Sequence, residues 1–533
     1  MALENYKNDI YAGVLGKIIG VYLGRPVEGW TFENIKNTFG KVSYYKNHKT
    51  GAPLIVPDDD ISGTFAFFRA LEDSGYKENI SAEEIGDAWL NYIVENETIL
   101  WWGGLCRSTE HTAYLRLKNG IKAPMSGSIA LNGQSMAEQI GAEIFIDTWA
   151  MVNPGNPERA CEMARKAASV SHDGVAVDAA VYLAAMEAMA FEEKDIDKLL
   201  DKGLAYIDNE EFKSLIAELR EKCAKASDWY EVRQWIADEH GYDKYPGNCP
   251  MITNHLTLLM AFIMGGDDFQ KACMIACSAG WDTDCNSGNV GCLNGIRLGL
   301  DGFTKGADLR RPVADRLYVV TSDGGSCISD AVIETRKILK AAAKLNGEEI
   351  KLPEERLAFE YPGSVQGIVP YDKDCEEQVL TKIENSYETT GEYGCRICYE
   401  GLASGVHASV AIDTFIDLKP KGKEGTSYFD VLCSPTLYSG QDICLVVDAL
   451  NDKNPKLELF FEYFDENDFL ENIYCGKHGL NKGRNILHLN VPDTQGHPIF
   501  RVGICLTSEE RLDGSIIVKS IDCSYSLEKY KPP

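Results

Sequence analysis

Three consecutive carboxylates, Asp58-Asp59-Asp60, run directly into the apolar stretch Ile61 through Phe68 and follow another, Leu54-Ile55-Val56. A second acidic group, Asp282-Thr283-Asp284, precedes a small-residue segment. A single aspartate at a helix start needs no function, because its side chain caps free amides and suits the helix dipole. Three in a row repel one another, which favours either a bound cation or full exposure, and the apolar flanks argue against a merely solvated run. Carboxylates with a hydroxyl and water suit hard ions such as Mg²⁺ or Mn²⁺. The competing reading is two capped helix starts that never meet.

What would bring them together is visible in the glycines. Gly13, Gly16, Gly20 and Gly24 share one face of a helix, and so do Gly288, Gly291, Gly295 and Gly299. Glycine costs about 1 kcal/mol per interior helix position relative to alanine, so two such stripes imply close helix packing. Helices packed that tightly also fix the groups at their ends.

The wider chain divides into two regimes. From about Ile10 to Leu345, apolar residues recur at helical spacing, as in Ile61–Leu71, Ala137–Val152, Pro157–Val170, Val175–Phe191, Thr253–Met264 and Asn289–Leu300. From about Leu357 the period becomes two, as in Leu457, Leu459, Phe461 and Tyr463, or Phe500, Val502, Ile504 and Leu506. The pattern predicts an all-α domain over residues 1–350 and an all-β domain, a sandwich or jelly-roll-like fold, over 351–533. Within the β region alternation sends most aromatics, Tyr428 and Phe429 among them, into the core and leaves the out-of-phase Phe460 and Phe464 as one candidate for an exposed platform. The ligand of that domain is left open between carbohydrate, a second copy of the chain and the wall of a cleft.

The net charge of −28, from 53 basic and 81 acidic residues, works against nucleic acid or an anionic membrane as the main partner. A polar start and 17 cysteines scattered through apolar runs fit a soluble cytoplasmic protein with reduced thiols. The one CxxC, Cys395 and Cys398, lies in a strand-like stretch without a second pair, which argues against zinc there. Ser108-Thr109-Glu110-His111, after Trp101-Trp102-Gly103-Gly104, looks pocket-like; the tryptophans either pack or stack on a base.

At this point the chain resembles the ADP-ribosylglycohydrolase family. The family's glycine-striped helix ending in glutamate matches Gly16 through Gly24-Arg25-Pro26-Val27-Glu28. Its Thr-Asp-Asp-Thr motif aligns with Asp58-Asp59-Asp60-Ile61, its middle histidine with Ser171-His172-Asp173, and its final Asp-Thr-Asp-Thr with Asp282-Thr283-Asp284-Cys285. The resemblance runs from about residue 10 to 300 and leaves the β region outside. It implies an all-α domain with two divalent cations, Mg²⁺ or Mn²⁺, held by Asp58, Asp59, Asp60, Asp282 and Asp284.

It further implies metal-dependent hydrolysis of a glycosidic bond at a ribose anomeric carbon. The substrate would be ADP-ribosylated, either a protein or a small molecule. Glu28 is the expected acid or base, with Asp60 and Asp284 sharing that role. Ser126-Gly127-Ser128 occupies the place of the family's substrate loop, where backbone amides and a hydroxyl would hold phosphate. His172 and His111 complete the expected substrate contacts. Several positions depart from the family. Asp58 and Ile61 replace threonines, Cys285 replaces the last threonine with a poor Mg²⁺ ligand, and Val21 stands where the first helix has aspartate. These leave two alternatives: a hydrolase of another ribosyl or sugar glycoside, or a non-catalytic binder of ADP-ribose or nucleotide. A homo-oligomer is compatible with either.

Overall fold

The computed structural model describes residues 3–371, 378–416 and 431–525; Tyr428 and Phe429 lie outside them. The N-terminal part is helical except for one short hairpin, Arg316–Tyr318 against Ile328–Asp330. Seven of its helices organise the site and are labelled α1 (Lys7–Gly24), α2 (Asp59–Phe67), α3 (Thr109–Lys118), α4 (Val175–Ala190), α5 (Met251–Gly265), α6 (Thr283–Leu298) and α7 (Ala331–Asn346).

α1, α4, α5 and α6 are buried on nearly all sides. This explains why they carry small or apolar residues all round rather than a single stripe. The amphipathic helices Pro157–Ala168 and Glu210–Lys225 lie outside them. The apolar run Ala137–Val152, which reads as one helix, folds instead as short pieces, Gln134–Ala137, Gly141–Ile144 and Asp147–Met151. Their breaks fall where Ile140 N donates to Cys249 O (3.0 Å) and Gln139 pairs with Pro250, so a tertiary bridge outcompetes the local period. None of the described helices is long and apolar enough to cross a membrane.

The C-terminal part is a β-sandwich of antiparallel sheets. One runs in the order Gly483–Asn490, Gln441–Ala449, Leu512–Tyr525, Cys395–Leu402, Leu380–Asn385. The other is built on Lys456–Phe464, Ile499–Thr507 and His407–Asp413, with Leu470–Tyr474, His478–Gly479 and Val369–Pro370 at its edges. Leu445, Val447, Leu459, Phe461, Ile504 and Val518 fill the space between the sheets. The expected aromatic platform is corrected by this packing: Phe460 and Phe464 are each 2% exposed. Phe460 is covered by Tyr371 and Tyr474, with ring centroids at 5.6 and 5.8 Å, and Phe464 by Phe500 at 5.3 Å. The strand is therefore buried on both faces, its outer one mixing Phe460 and Phe464 with Glu458 and Glu462. Cys395 points into the core while Cys398 is half-buried. Three residues apart on a strand, they face opposite sides, which removes the CxxC as a metal clamp.

The two parts are joined by a tightly bonded connection. Leu357 pairs with Ile521 of the sandwich, and Phe359 sits in the sandwich core. Two residues later, Tyr361 lies in the helical core, stacked on Tyr11 of α1 at 4.4 Å. Asp315 gathers four hydrogen bonds, from Tyr11 Oη (2.7 Å), Ser364 Oγ (2.7 Å), Val365 N (2.9 Å) and Gln366 N (2.9 Å). Asn385 Nδ2 in turn donates to the carbonyls of Phe359, Tyr361 and Ser364.

Candidate functional site

The glycine stripes of α1 and α6 face each other in antiparallel fashion. A Cβ placed on Gly16 would lie 2.8 Å from the Gly291 carbonyl carbon, and one on Gly24 would lie 2.6 Å from Asp284 N. Two hydrogen bonds cross the contact: Ser287 Oγ donates to Gly20 O (2.6 Å) and Thr283 Oγ1 donates to Gly24 O (3.0 Å). The C-terminal end of α1, which carries Arg25 and Glu28, is thereby fixed against the N-terminal end of α6, which carries Asp282 and Asp284. Val21 is buried, and its Cγ2 would lie 2.7 Å from a Cβ on Gly288, so it serves this packing.

α2 delivers the other carboxylates to the same place. Asp58 caps it, its Oδ1 accepting from Asp60 N at 3.0 Å. Asp58, Asp60 and Asp284 each place one oxygen within 4.8 Å of the other two, and Asp282, Asp284 and Cys285 form a second such group. The two acidic helix starts therefore meet. Asp60 Oδ1 and Asp284 Oδ1 are buried and accept no hydrogen bond. Buried oxygens in that state are costly unless something neutralises them.

Two cations stand at the edges. Arg25 Nε is 3.1 Å from Asp58 Oδ2, its Nη1 is 3.5 Å from Asp284 Oδ2, and it also pairs with Glu28 at the open rim. Lys17, wholly buried in α1, places Nζ 4.0 Å from Asp60 Oδ1 and 2.8 Å from Asp147. They do not balance five carboxylates. Burial, with a contribution from Asp284 and against the pull of Arg25, pushes the Asp58 carboxyl up to about 6. Burial and the Asp284 charge push Asp282 to about 8. Asp59 and Asp60 are raised well above the usual carboxylate range by burial and by Asp58.

The expected substrate contacts lie on neighbouring elements. His172 is buried, its Nδ1 shares a 2.7 Å hydrogen bond with Ser171 Oγ, and its Nε2 has no hydrogen-bond partner. That nitrogen lies 3.6 Å from Glu110 Oε1 on α3. Burial lowers His172 to about 3, so the ring is neutral. Gly127 packs on the backbone of Ser171 and His172, where a Cβ would meet His172 N at 2.5 Å. The Ser126 hydroxyl donates to Val170 O (2.7 Å) and that of Ser128 to Met125 O (2.9 Å). His111 Nδ1 accepts from Gly104 N (3.1 Å) and its ring meets Trp102 edge-on. Trp102 thus packs, while Trp101 is exposed.

Sequence reasoning gave no role to Arg25, Lys17 or Glu110. The signal for Lys17 was a lone lysine in the middle of an otherwise apolar, glycine-striped helix. Arg25 and Glu110 stood inside quoted motifs, and their charge opposite or beside the acids was the available clue. A cavity of about 490 Å³, lined by Glu138, Phe212, His240, Tyr245 and Met251, contains none of these carboxylates.

Comparison with known proteins gives one family match, to ADP-ribosylglycohydrolase, over residues 2–338. No curated protein matches the sequence. Among solved structures, an ADP-ribosylglycohydrolase-related protein complex is similar at 18% identity, over 65% of this chain and all of that one, with a TM-score of 0.43. The sandwich region is similar to the family 11 carbohydrate-binding module of a Clostridium thermocellum cellulosomal cellulase, at 10% identity over 33% of this chain and 97% of that one (TM-score 0.22). A mannan-recognising carbohydrate-binding module is similar at 14% identity over 33% and 98% (TM-score 0.21). With the end of the glycine-striped helix and both acidic helix starts meeting at one buried cluster, and the family match spanning most of the chain, this protein belongs to the ADP-ribosylglycohydrolase family.

Proposed function

We propose that the protein is a cation-dependent hydrolase that cleaves the glycosidic bond at the ribose anomeric carbon of an ADP-ribosylated protein or small molecule. The observation that carries this reading is the convergence of two acidic helix starts around buried oxygens of Asp60 and Asp284 that accept no hydrogen bond. Hard carboxylate oxygens in excess over nearby cations fit Mg²⁺ or Mn²⁺, with Asp58, Asp59, Asp60, Asp282 and Asp284 as the holding residues. When bound, such cations supply Lewis-acid charge for the ribose hydroxyls and for a water.

The remaining chemistry falls to side chains of this chain. Glu28 sits at the rim, 37% exposed and oriented by Arg25, where a carboxyl can pass a proton to a leaving group or take one from water. Asp60 and Asp284 are the alternative proton carriers within the cluster. In the tautomer in which Ser171 Oγ donates to Nδ1, His172 carries its proton on Nε2 and presents it to a hydroxyl or phosphate oxygen. The Ser126-Gly127-Ser128 turn shapes the adjacent wall.

Calorimetric titration of ADP-ribose into the protein, with Mg²⁺ or Mn²⁺ and again with chelator, tests the reading. Binding that needs the cation supports it. Absence of binding with either cation removes the ADP-ribosyl assignment, and binding without turnover of any ADP-ribosylated substrate reduces the protein to a binder.

A further inference from the structure

α2 begins at the acid cluster and ends beside a buried cation. Arg69 lies two residues beyond the last residue of the helix, Phe67, and is 7% exposed. Its Nε and Nη2 are buried and donate to no group of the described residues. Its Nη1 faces Asp323 Oδ2 at 3.7 Å, an ion pair too long for a hydrogen bond, and the Asp323 side chain is 50% exposed. Tyr92 covers one face of the guanidinium, its ring centroid 5.4 Å from Cζ. Packing on a ring satisfies no N–H, so the edge of the fork keeps its donors. Among the described residues no other guanidinium has two buried nitrogens in this state. A charged group is costly to bury unless its donors find acceptors, and a buried group left unsatisfied needs a cause.

The cause lies in what the side chain lines. A cavity of about 150 Å³ is bounded by Arg69, Tyr76, Tyr92, Ser326, Lys337 and Lys340, with Glu72 and Asp323 as its acids. Its walls are fixed: Ser322 of the hairpin loop donates from N to Tyr92 O (2.8 Å) and from Oγ to Asn91 O (2.7 Å). On α7, Lys337 Nζ is held by Glu334 at 2.8 Å and Lys340 Nζ by Glu72 at 2.6 Å. An ammonium has three donors, so each lysine keeps donors for a further acceptor. The volume is below the roughly 300–1,000 Å³ of pockets for drug-sized ligands, which leaves room for a group of a few heavy atoms and not for a nucleotide. We propose that Arg69, Lys337 and Lys340 form a binding site for a small oxyanion, a free phosphate, sulfate or carboxylate. The planar fork of a guanidinium matches two oxygens of such a group, and the lysines add point charge. The cavity is lined by none of the carboxylates of the acid cluster, so the inference stands apart from the hydrolase reading.

The test is calorimetric titration of inorganic phosphate, sulfate and acetate, each in turn, into the full chain. Ionic strength is held constant with chloride, and chelator is present so that no divalent cation at the acid cluster can recruit the anion. Expected is saturable one-to-one binding of at least one of the three, with a rise in Tm that chloride does not reproduce. Arg69→Met keeps an unbranched stem and removes the fork; it should weaken binding by more than about tenfold, as the loss of charge-assisted hydrogen bonds implies. Asp323→Asn removes the one carboxylate that competes for Nη1 and should tighten binding several-fold, which an arginine with a purely structural role would not do. Asp323 is half-exposed, so this variant keeps the test open if Arg69→Met fails to fold. The absence of saturable heat with all three oxyanions overturns the proposal. Binding that survives Arg69→Met undiminished, or that Asp323→Asn leaves unchanged or weaker, overturns it as well.

Discussion

Gly20→Ala sets two physical effects directly against each other. Within a helix, alanine is favoured over glycine by about 1 kcal/mol, so propensity alone predicts a stabilised protein. The structure predicts the reverse. The new Cβ would lie 2.6 Å from the Ser287 carbonyl carbon and 2.9 Å from Gly288 Cα, and ordinary contact begins at 3.4 Å. These are backbone atoms of a buried helix, so α1 and α6 must part by at least about 0.8 Å. Overpacking of this kind costs about 1–3 kcal/mol. Parting also stretches the Ser287–Gly20 and Thr283–Gly24 hydrogen bonds, worth about 0.5–1.5 kcal/mol each. Against the propensity gain, the net expectation is a loss of about 3 kcal/mol. Chemical denaturation measures it, with Gly86→Ala as the control, since a Cβ there meets first the flexible Cδ2 of Leu117, at 2.9 Å. The same displacement should weaken Mn²⁺ binding, because Asp284 travels with α6 and Asp58 and Asp60 do not. A Gly20→Ala protein as stable as the parent, with unchanged Mn²⁺ affinity, would refute the claim that this helix contact sets the site.

Four further outcomes are expected. Asp284→Asn should stabilise the cation-free protein by relieving repulsion with Asp58, Asp59, Asp60 and Asp282, and should abolish the rise in Tm on adding Mn²⁺; a retained rise would exclude Asp284 as a ligand. Cation-free stability should fall as pH rises, because a carboxyl raised in the folded state contributes stability that is complete below its unfolded value of 3.8 and is lost through its folded value. For Asp58 that value is about 6, worth about 3 kcal/mol, with Asp282 extending the decline to about 8; saturating Mn²⁺ should flatten the curve, and a cation-free Tm rising from pH 5 to 8 would contradict the assignment. Arg25→Ala should tighten Mn²⁺ binding by removing a competing charge, about tenfold if the loss of Coulomb competition is near 1.4 kcal/mol; isothermal titration decides it, and weaker binding would make Arg25 a support for the cluster rather than a competitor. Phe460→Ala should cost about 3–5 kcal/mol through the buried void it leaves, whereas a change within about 0.5 kcal/mol in denaturant titration would restore the exposed-platform reading.

The parts of the fold legible in the sequence are those where one periodicity dominates. The glycine faces of α1 and α6 and the alternation in Lys456–Phe464 each reflect a single packing demand. Ala137–Val152 misled because a tertiary bridge from Gln139 and Ile140 to the Cys249–Pro250 segment cuts an apolar run, and no local signal marks a partner about 110 residues away. Phe460 misled for a related reason: strand alternation locates the inner face and does not say whether Tyr371 and Tyr474 cover the outer one. The acidic cluster was readable because its like charge in apolar flanks is anomalous. Lys17 showed only as a charge out of place in its helix; its importance comes from where α1 sets it relative to Asp60 and Asp147.

The bond set around Asp315 bears on how this chain can be cut and recombined. Phe359 belongs to one core and Tyr361 to the other, so no loose hinge separates the halves. A chain ending after α7 would lose the ring stacked on Tyr11 and leave a buried carboxylate with three of its four donors gone. The sandwich is therefore a graft that has become part of the rootstock. Exchanging it for another β domain, in the laboratory or over evolutionary time, would require carrying residues 357–367 across intact or rebuilding the Tyr11 face of the helix whose opposite end holds the acid cluster.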